Sequence, residues 1–371
     1  MTVACAADIV AAGALLPGPV PVMRPAPAGF AQEPWPAYRL DAATEQSLNP
    51  PDRLKRMGRG QAMAIVAVKR ALAACPVDGV PSPDDATAVS VGTAGAEEGD
   101  EIVFLENLIK LGEKAAKPAF FVNSVKNALA SQLALSFGFR GENQTFAHDA
   151  MSFESALWQG ARLVRAQRSR HAVVCGVEAL IEFQEMHGHL RGWYGANPAP
   201  LAPLTAARRG TIPGEGAGAF VLTAPGTAAA PIARLLHVKS RGPLQRLPIL
   251  TGSGELAFLE QAMREADVSL DATWLVLLGA SGDDGLDAIY RQVAQGLRTG
   301  WAGPRVGVYR HRTGDFATAS ALGFELAVRA VASRGVPSDV RVVMGEPGPV
   351  ERALLYHVSS AGYHSAIIVS A

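Results

Sequence analysis

The groups in this sequence that could do covalent or metal chemistry are few and scattered. Its 371 residues hold three cysteines, Cys5, Cys75 and Cys175, and eight histidines. The cysteines show no paired spacing, which excludes a disulfide framework and a cysteine-rich zinc site. Cys175 falls in the apolar run His171 to Val177, where a free thiol packs as a small hydrophobe. Among the histidines, only His187-Gly-His189 and His311, flanked by Arg310 and Arg312, suggest a grouping, and neither has metal-ligand spacing. No metal site is expected. Ser152 opens an amphipathic segment, a position where serine serves as a helix cap. The basic run Arg53, Lys55, Arg56 and Arg59, and the pair Arg208 and Arg209, could face an acidic partner or be ordinary solvated residues.

Any such groups must be positioned by a large folded body. Hydrophobic residues make up 49% of the chain and charged ones 18%, a buried-core composition. Lys plus Arg equals Asp plus Glu at 34 each, so the basic excess of a nucleic-acid binder is missing. The start, Met1 to Leu16, is apolar but contains Asp8 and lacks a basic leader, so it reads as a first strand rather than a signal peptide. No uncharged apolar run approaches the roughly 18 residues of a membrane span. A reduced, cytoplasmic protein is expected.

Strand and helix patterns alternate along the chain. Helices are expected over 53–75, Glu101–Leu111, Ala128–Phe137, Ser152–Arg165, Glu255–Ala266, Leu286–Leu297 and Ala317–Ser333. Strands are expected at Thr87–Val91, Phe120–Val122, His171–Val177, Gly218–Leu222, Ala233–Val238, Trp274–Leu278, Arg305–Tyr309, Arg341–Met344, Leu354–Ser359 and Ala366–Ser370. Alternation of this kind implies parallel sheets covered by helices. The pattern starts over near residue 230, so two similar halves, 1–230 and 231–371, are expected in one body.

Several segments together resemble the β-ketoacyl synthases. The most specific is Arg208 to Leu222, RRGTIPGEGAGAFVL, whose glycine loop (Gly214, Glu215, Gly216, Gly218) leads into a buried strand. Asn49–Arg59, Pro118–Gly138, Ser152–Glu178, Gly314–Glu325 and Ala361–Val369 are similar to further family segments in the same order. The resemblance implies an α/β thiolase-like fold: two pseudo-repeated βαβαβαββ halves stacked into a five-layered αβαβα body. It also implies that 117–137 lies along a dimer interface, with Phe120, Phe121, Val122, Asn123 and Asn127 in it. That stretch is apolar, with only Lys117 and Lys126 charged, and core burial would explain it equally.

The catalytic groups of such an enzyme do not match. A condensing ketosynthase needs a cysteine thiolate to carry the acyl chain and two neutral histidines to donate hydrogen bonds to the thioester oxygen. Gap-free matching places Ala150 where the cysteine belongs, and a shift of one or two residues brings in Met151 or Ser152. The first histidine turn is replaced by Gly279-Ala280-Ser281. In the second loop Arg310 takes the lysine place and Asp315 the histidine place. Asp315 either caps the following helix or pairs with Arg310. Ser360 matches the family's gating phenylalanine and His364 its asparagine. Met151 and Phe153 fall at the pocket, and Ser152, His148 and His364 are the candidate substitute nucleophile or bases.

This profile resembles the chain-length factors, non-catalytic ketosynthase-like subunits that pair with an active ketosynthase and shape the pocket for a polyketide, polyene or fatty-acyl chain. The resemblance implies an active ketosynthase and an acyl carrier protein as partners. It implies no directly bound cofactor, the carrier's phosphopantetheine arm bringing the chain. Aromatic polyketide and polyene systems, aryl polyenes included, both remain open, and the short chain and divergent loops point toward the polyene type. An acyltransferase or thioester hydrolase using Ser152, and a scaffold protein using the fold only for interaction, are the other readings.

Overall fold

A computed structural model describes residues 6–25, 34–48, 57–76, 80–82, 86–115, 117–205, 208–242, 253–301, 303–359 and 361–371. Runs that are apolar on both faces form strands buried on both sides, as HAVVCGVE, GAGAFVLT and WLVLL show. In chain order the strands are β1 (Ala7–Leu15), β2 (Val22–Arg24), β3 (Trp35–Ala37), β4 (Ala88–Gly92), β5 (Asn143–Phe146), β6 (His171–Glu178), β7 (Gly216–Thr223), β8 (Ala233–Arg241), β9 (Trp274–Leu278), β10 (Arg305–Val308), β11 (Arg341–Met344), β12 (Arg352–Val358) and β13 (His364–Ser370). The helices are α1 (Ala42–Ser47), α2 (Arg59–Ala74), α3 (Glu98–Leu111), α4 (Pro118–Asn123), α5 (Ala128–Phe137), α6 (Ser152–Arg165), α7 (Glu182–Leu190), α8 (Ser253–Glu265), α9 (Asp284–Gly300), α10 (Arg310–Thr313) and α11 (Ala319–Ser333).

The strand order is β11-β10-β9-β12-β13-β8-β1-β7-β6-β4-β5. It contains one pattern twice. β1-β7-β6-β4-β5 and β8-β13-β12-β9-β10 each run antiparallel, antiparallel, parallel, parallel. The two halves join through a short antiparallel pairing of Ala7–Ile9 with Ala233–Leu235. β11 is an addition at one edge, antiparallel to β10.

Strand alternation sorts the side chains into three cores, and these define five layers. Val173, Cys175 and Val177 of β6 face α2 and α5 on one outside. Leu354 and Tyr356 of β12 and Ala366 and Ile368 of β13 face α8 and α9 on the other. The opposite residues, Ala172, Val174, Leu355, Ile367 and Val369, share a central core with α6 and α11. A helix covered on both sides must be apolar nearly all round. α11 accordingly carries small and apolar residues, ASALGFELAVRAVAS, most of them buried.

Two local expectations need correction. Phe120–Val122 is not a strand but lies in α4. Pro118 in the first turn presets helical φ, and Phe121 packs on Phe104 of α3 at 5.4 Å, outweighing the β preference of the aromatic and branched residues. The strand at that edge of the sheet is instead β5, whose sequence NQTF is short and polar enough to pass unnoticed. The helix expected from residue 53 begins at Arg59. The stretch 49–56 ahead of it, with Arg53, Lys55 and Arg56, lies outside the described residues, as does Cys5. No described helix is long and apolar enough to cross a membrane.

Candidate active site

The repeated topology gives two equivalent connections. After β5 the chain makes a short turn, Asp149–Met151, and enters α6; after β10 it makes α10 and enters α11. Both connections reach one cavity of about 430 Å³ between the halves, where Ala150 meets Arg310 and Asp315 across the opening. Trp193, Tyr194, Leu286 and Phe316 supply apolar wall, and Thr211, Ser281, Ser359 and His357 supply polar groups.

Ala150, matched in the sequence to the nucleophile position, offers the cavity only a methyl group. The residue before it, Asp149, has φ 41°, a left-handed conformation that a non-glycine residue adopts at some cost. Ser152 holds this turn together. Its hydroxyl accepts from the His148 backbone N–H at 2.8 Å and donates to the Asp149 carbonyl at 2.8 Å. It is fully buried and is not among the cavity's lining residues. Met151 and Phe153, expected at the pocket, are buried instead. Phe153 packs at a tilt against Phe220 and Phe324 in the central core because α6 turns that face inward. His148 lies edge-on to Tyr363, 4.9 Å between rings. Ser360 lies outside the described residues.

The second loop settles between its two readings. Asp315 does not cap α11; the residue before that helix is Thr318. Its carboxylate pairs with the guanidinium of Arg310, whose side chain is almost wholly buried. The loop is pinned by the glycine segment: the Asp315 N–H donates to the Ile212 carbonyl at 2.9 Å, and the Gly214 N–H to the Asp315 carbonyl at 3.1 Å. A Cβ on Gly214 would lie 2.0 Å from the Thr313 carbonyl oxygen, so only glycine permits this approach. Gly314, at φ 70°, makes the reversal on the other side. Gly216 and Gly218 back onto α11 in the same way. Glu215, with no exposed surface, accepts from the Leu40 and Leu180 N–H groups and from Arg39 and Arg59. Arg59 is therefore committed to a structural carboxylate. Arg208 is likewise bonded to the Ala199 and Asn197 carbonyls.

Ala280 is buried in the outer core behind β9, and Ser281, one residue on, takes the place at the cavity. His364 shares the face of Ala366 and Ile368, so it points toward α8 and away from the cavity. It packs on Phe258, and its Nδ1 lies 3.0 Å from the Tyr356 hydroxyl. Burial, aided by Arg241, pushes its pKa down to about 4. Cys175 is pushed up to about 12 by burial and keeps its proton.

The residue that sequence reasoning missed is His357. It lies on β12 with the inward parity of Ala353 and Leu355, and its ring lines the cavity. Its Nδ1 is 3.3 Å from Arg310 Nη2 and 3.3 Å from the Tyr290 hydroxyl. Burial, then the charge of Arg310, holds its pKa well below the ordinary imidazole value. Strand alternation in LLYHV was the available signal, since it sets His357 opposite Leu354 and Tyr356. Below the cavity floor, Glu154 is buried in the central layer and accepts from Ser365 Oγ at 3.0 Å. Burial raises its pKa to about 7. With alanine at position 150 and an ion pair among the other lining residues, the site has no nucleophile at Ala150 with which to form a thioester.

Two equivalent halves whose matching loops converge on one cavity are the ketosynthase form of the thiolase-like fold. Residues 38–227, just over half of the chain, match the family model for the β-ketoacyl synthase N-terminal domain, and the chain belongs to that family. No curated protein sequence matches it. Among solved structures it is similar to the ishigamide ketosynthase/chain length factor, with 18% identity, TM-score 0.81 and 99% of each chain covered. A β-ketoacyl synthase from Burkholderia phymatum STM815 shares 15% identity and TM-score 0.80 over 100% of this chain and 99% of its own. The AntDE:AntF complex, a type II polyketide acyl carrier protein with its ketosynthase bound to the hexaketide, shares 15% identity and TM-score 0.81 over 98% and 99%.

Proposed function

We propose that this chain is a non-catalytic, chain-length-factor-like subunit. It pairs with an active ketosynthase in the cytoplasm and helps shape the pocket in which a polyketide, polyene or fatty-acyl chain grows on an acyl carrier protein. Residues 1–230 and 231–371 are its two halves, and the carrier's phosphopantetheine arm is the only cofactor involved, brought in with the substrate. The observation that carries the reading is the cavity itself. The scaffold keeps it open while Ala150, Arg310 and Asp315 replace the chemistry that condensation requires. The partner face is proposed along α3, α4 and the helix that follows. Phe121 and Val122 are 55% and 62% exposed there, and Ile109 at 81% and Leu135 at 78% add exposed apolar side chains on the neighbouring helices, as an interaction face would need. Phe120, Asn123 and Asn127 belong to the same face. Structural similarity to a ketosynthase/chain length factor and to a ketosynthase–carrier-protein complex supports the same partners.

The test is to tag this chain alone in its native operon and measure the native mass and composition of what co-purifies. A one-to-one complex with a cysteine-bearing ketosynthase is expected. A homodimer without such a partner would move the reading to an independent acyltransferase or hydrolase. For that alternative, acyl labelling lost on Ser152→Ala is the deciding observation, and the buried, doubly bonded Ser152 hydroxyl weighs against it.

A further inference from the structure

His357 is the one histidine that lines the cavity among the described residues. Both hydrogen bonds of its ring fall on Nδ1. A guanidinium can only donate, so the bond from Arg310 makes Nδ1 an acceptor and places the proton of the neutral ring on Nε2. The Tyr290 hydroxyl accepts from the Val358 N–H at 2.8 Å and can spend its proton on the Val358 carbonyl at 3.1 Å, which leaves the single lone pair of Nδ1 to Arg310. No described protein group takes the Nε2–H. The Nε2–H of this cavity-lining ring is thus free to meet a ligand oxygen.

Charge decides which oxygen. Asp149, Asp283 and Asp315 line the cavity against the single cation Arg310, which Asp315 already neutralises. A carboxylate ligand would be repelled, whereas a ketone, thioester or amide oxygen would not.

We propose that His357 is a positioning residue whose Nε2–H holds the carbonyl oxygen of a neutral acyl chain bound without covalent attachment, in a cavity that rejects carboxylates. This rests on the reading of the site as an acyl-handling pocket, but not on the identity of the partner subunit.

The experiment uses the protein as purified, with whatever accompanies it, labelled with ¹⁵N-histidine. The probes are the 3-oxobutanoyl and malonyl thioesters of N-acetylcysteamine. The His357 imidazole signals are those lost in His357→Gln, which keeps an amide N–H near the Nε2 position. Expected are an Nε2–H tautomer in the free protein, a shift of that nitrogen on adding the 3-oxobutanoyl probe, and no response to the malonyl probe. In calorimetry His357→Leu should weaken the 3-oxobutanoyl probe by about tenfold, while His357→Gln stays within about threefold. An Nδ1–H tautomer, equal binding of the malonyl probe, or unchanged binding in His357→Leu overturns the assignment. If His357→Leu fails to fold, the wild-type nitrogen shift and the His357→Gln affinity decide. Probe binding through His357 without a ketosynthase partner would leave this assignment standing and remove the subunit reading; pairing without probe binding would do the reverse.

Discussion

Glu154→Gln should make the protein more stable, and by an amount that depends on pH. The carboxyl group sits in the central layer with 1% of its surface exposed. One oxygen accepts from Ser365 at 3.0 Å, and the Ser320 and Ser365 hydroxyls together offset only part of the burial. Desolvation is the largest influence and raises the pKa from 4.5 to about 7. Below pH 4.5 the folded and unfolded chains both carry the proton, and the group is neutral in either. As pH rises from 4.5 toward 7 the unfolded chain releases its proton first, so stability falls across that window. Above pH 7 the folded protein holds a buried charge. That rise corresponds to about 3 kcal/mol. Glutamine has the shape of the protonated acid and nothing to ionise. Urea unfolding followed by tryptophan fluorescence should therefore find wild type and variant close at pH 4.5, and the variant ahead by up to about 3 kcal/mol at pH 8. A difference that does not change with pH, or a wild type that is the more stable at pH 8, would refute the burial argument.

Four other outcomes are expected. Asp315→Asn leaves Arg310 buried without its countercharge and should cost about 3 kcal/mol in unfolding free energy, the lower end for a buried pair because Asp315 is 30% exposed. Adding Arg310→Met to that variant should recover part of the loss. Gly214→Ala drives a methyl group into the Thr313 carbonyl and should lower stability by about 3 kcal/mol in thermal or urea unfolding, with the Asp315 loop displaced in a crystal structure. In a Cys5→Ser background the native protein should resist iodoacetamide at pH 7.5, because burial pushes Cys75 up to about 11 and Cys175 up to about 12. Ala150→Cys should then add one reactive thiol, read by intact mass, without producing condensation activity. Val122→Glu should abolish association with a partner while the far-ultraviolet dichroism and melting of this chain stay unchanged, since Val122 is 62% exposed.

Much of the scaffold is legible in the residues because its strands are buried on both faces and its helices lie between them. The uniform runs HAVVCGVE, WLVLL and HSAIIVS allow little but interior strands. The glycine loop is legible because backbone contact with Thr313 leaves no room for a side chain. β5 and α4 escape for opposite reasons. NQTF lacks the apolar pattern of a strand yet is held by β4, and PAFFVN has β-prone residues that a leading proline and a neighbouring helix draw into a helical turn. The pairing of Arg310 with Asp315 was one of two open readings, and local spacing alone favours neither. His357 is the instructive omission. A histidine in an apolar strand says nothing until strand parity, the loop of Arg310 and the phenol of Tyr290 show which way it faces and which nitrogen is engaged.

The central layer also bears on how the molecule is assembled. α6 belongs to the first half and α11 to the second, yet each is walled in by the other and by both sets of strands. Neither half, made alone, could hide its own central helix from water, and each would expose a broad apolar face. Repetition here does not bring independence. The chain should acquire its structure in one late step once both halves have been synthesised, through contacts far apart in sequence, which is slow. Separately expressed fragments cut near residue 230 should aggregate alone and find each other when co-expressed. The Ala7–Ile9 pairing with Ala233–Leu235 is a seam too short to hold them, and the shared interior is the joint.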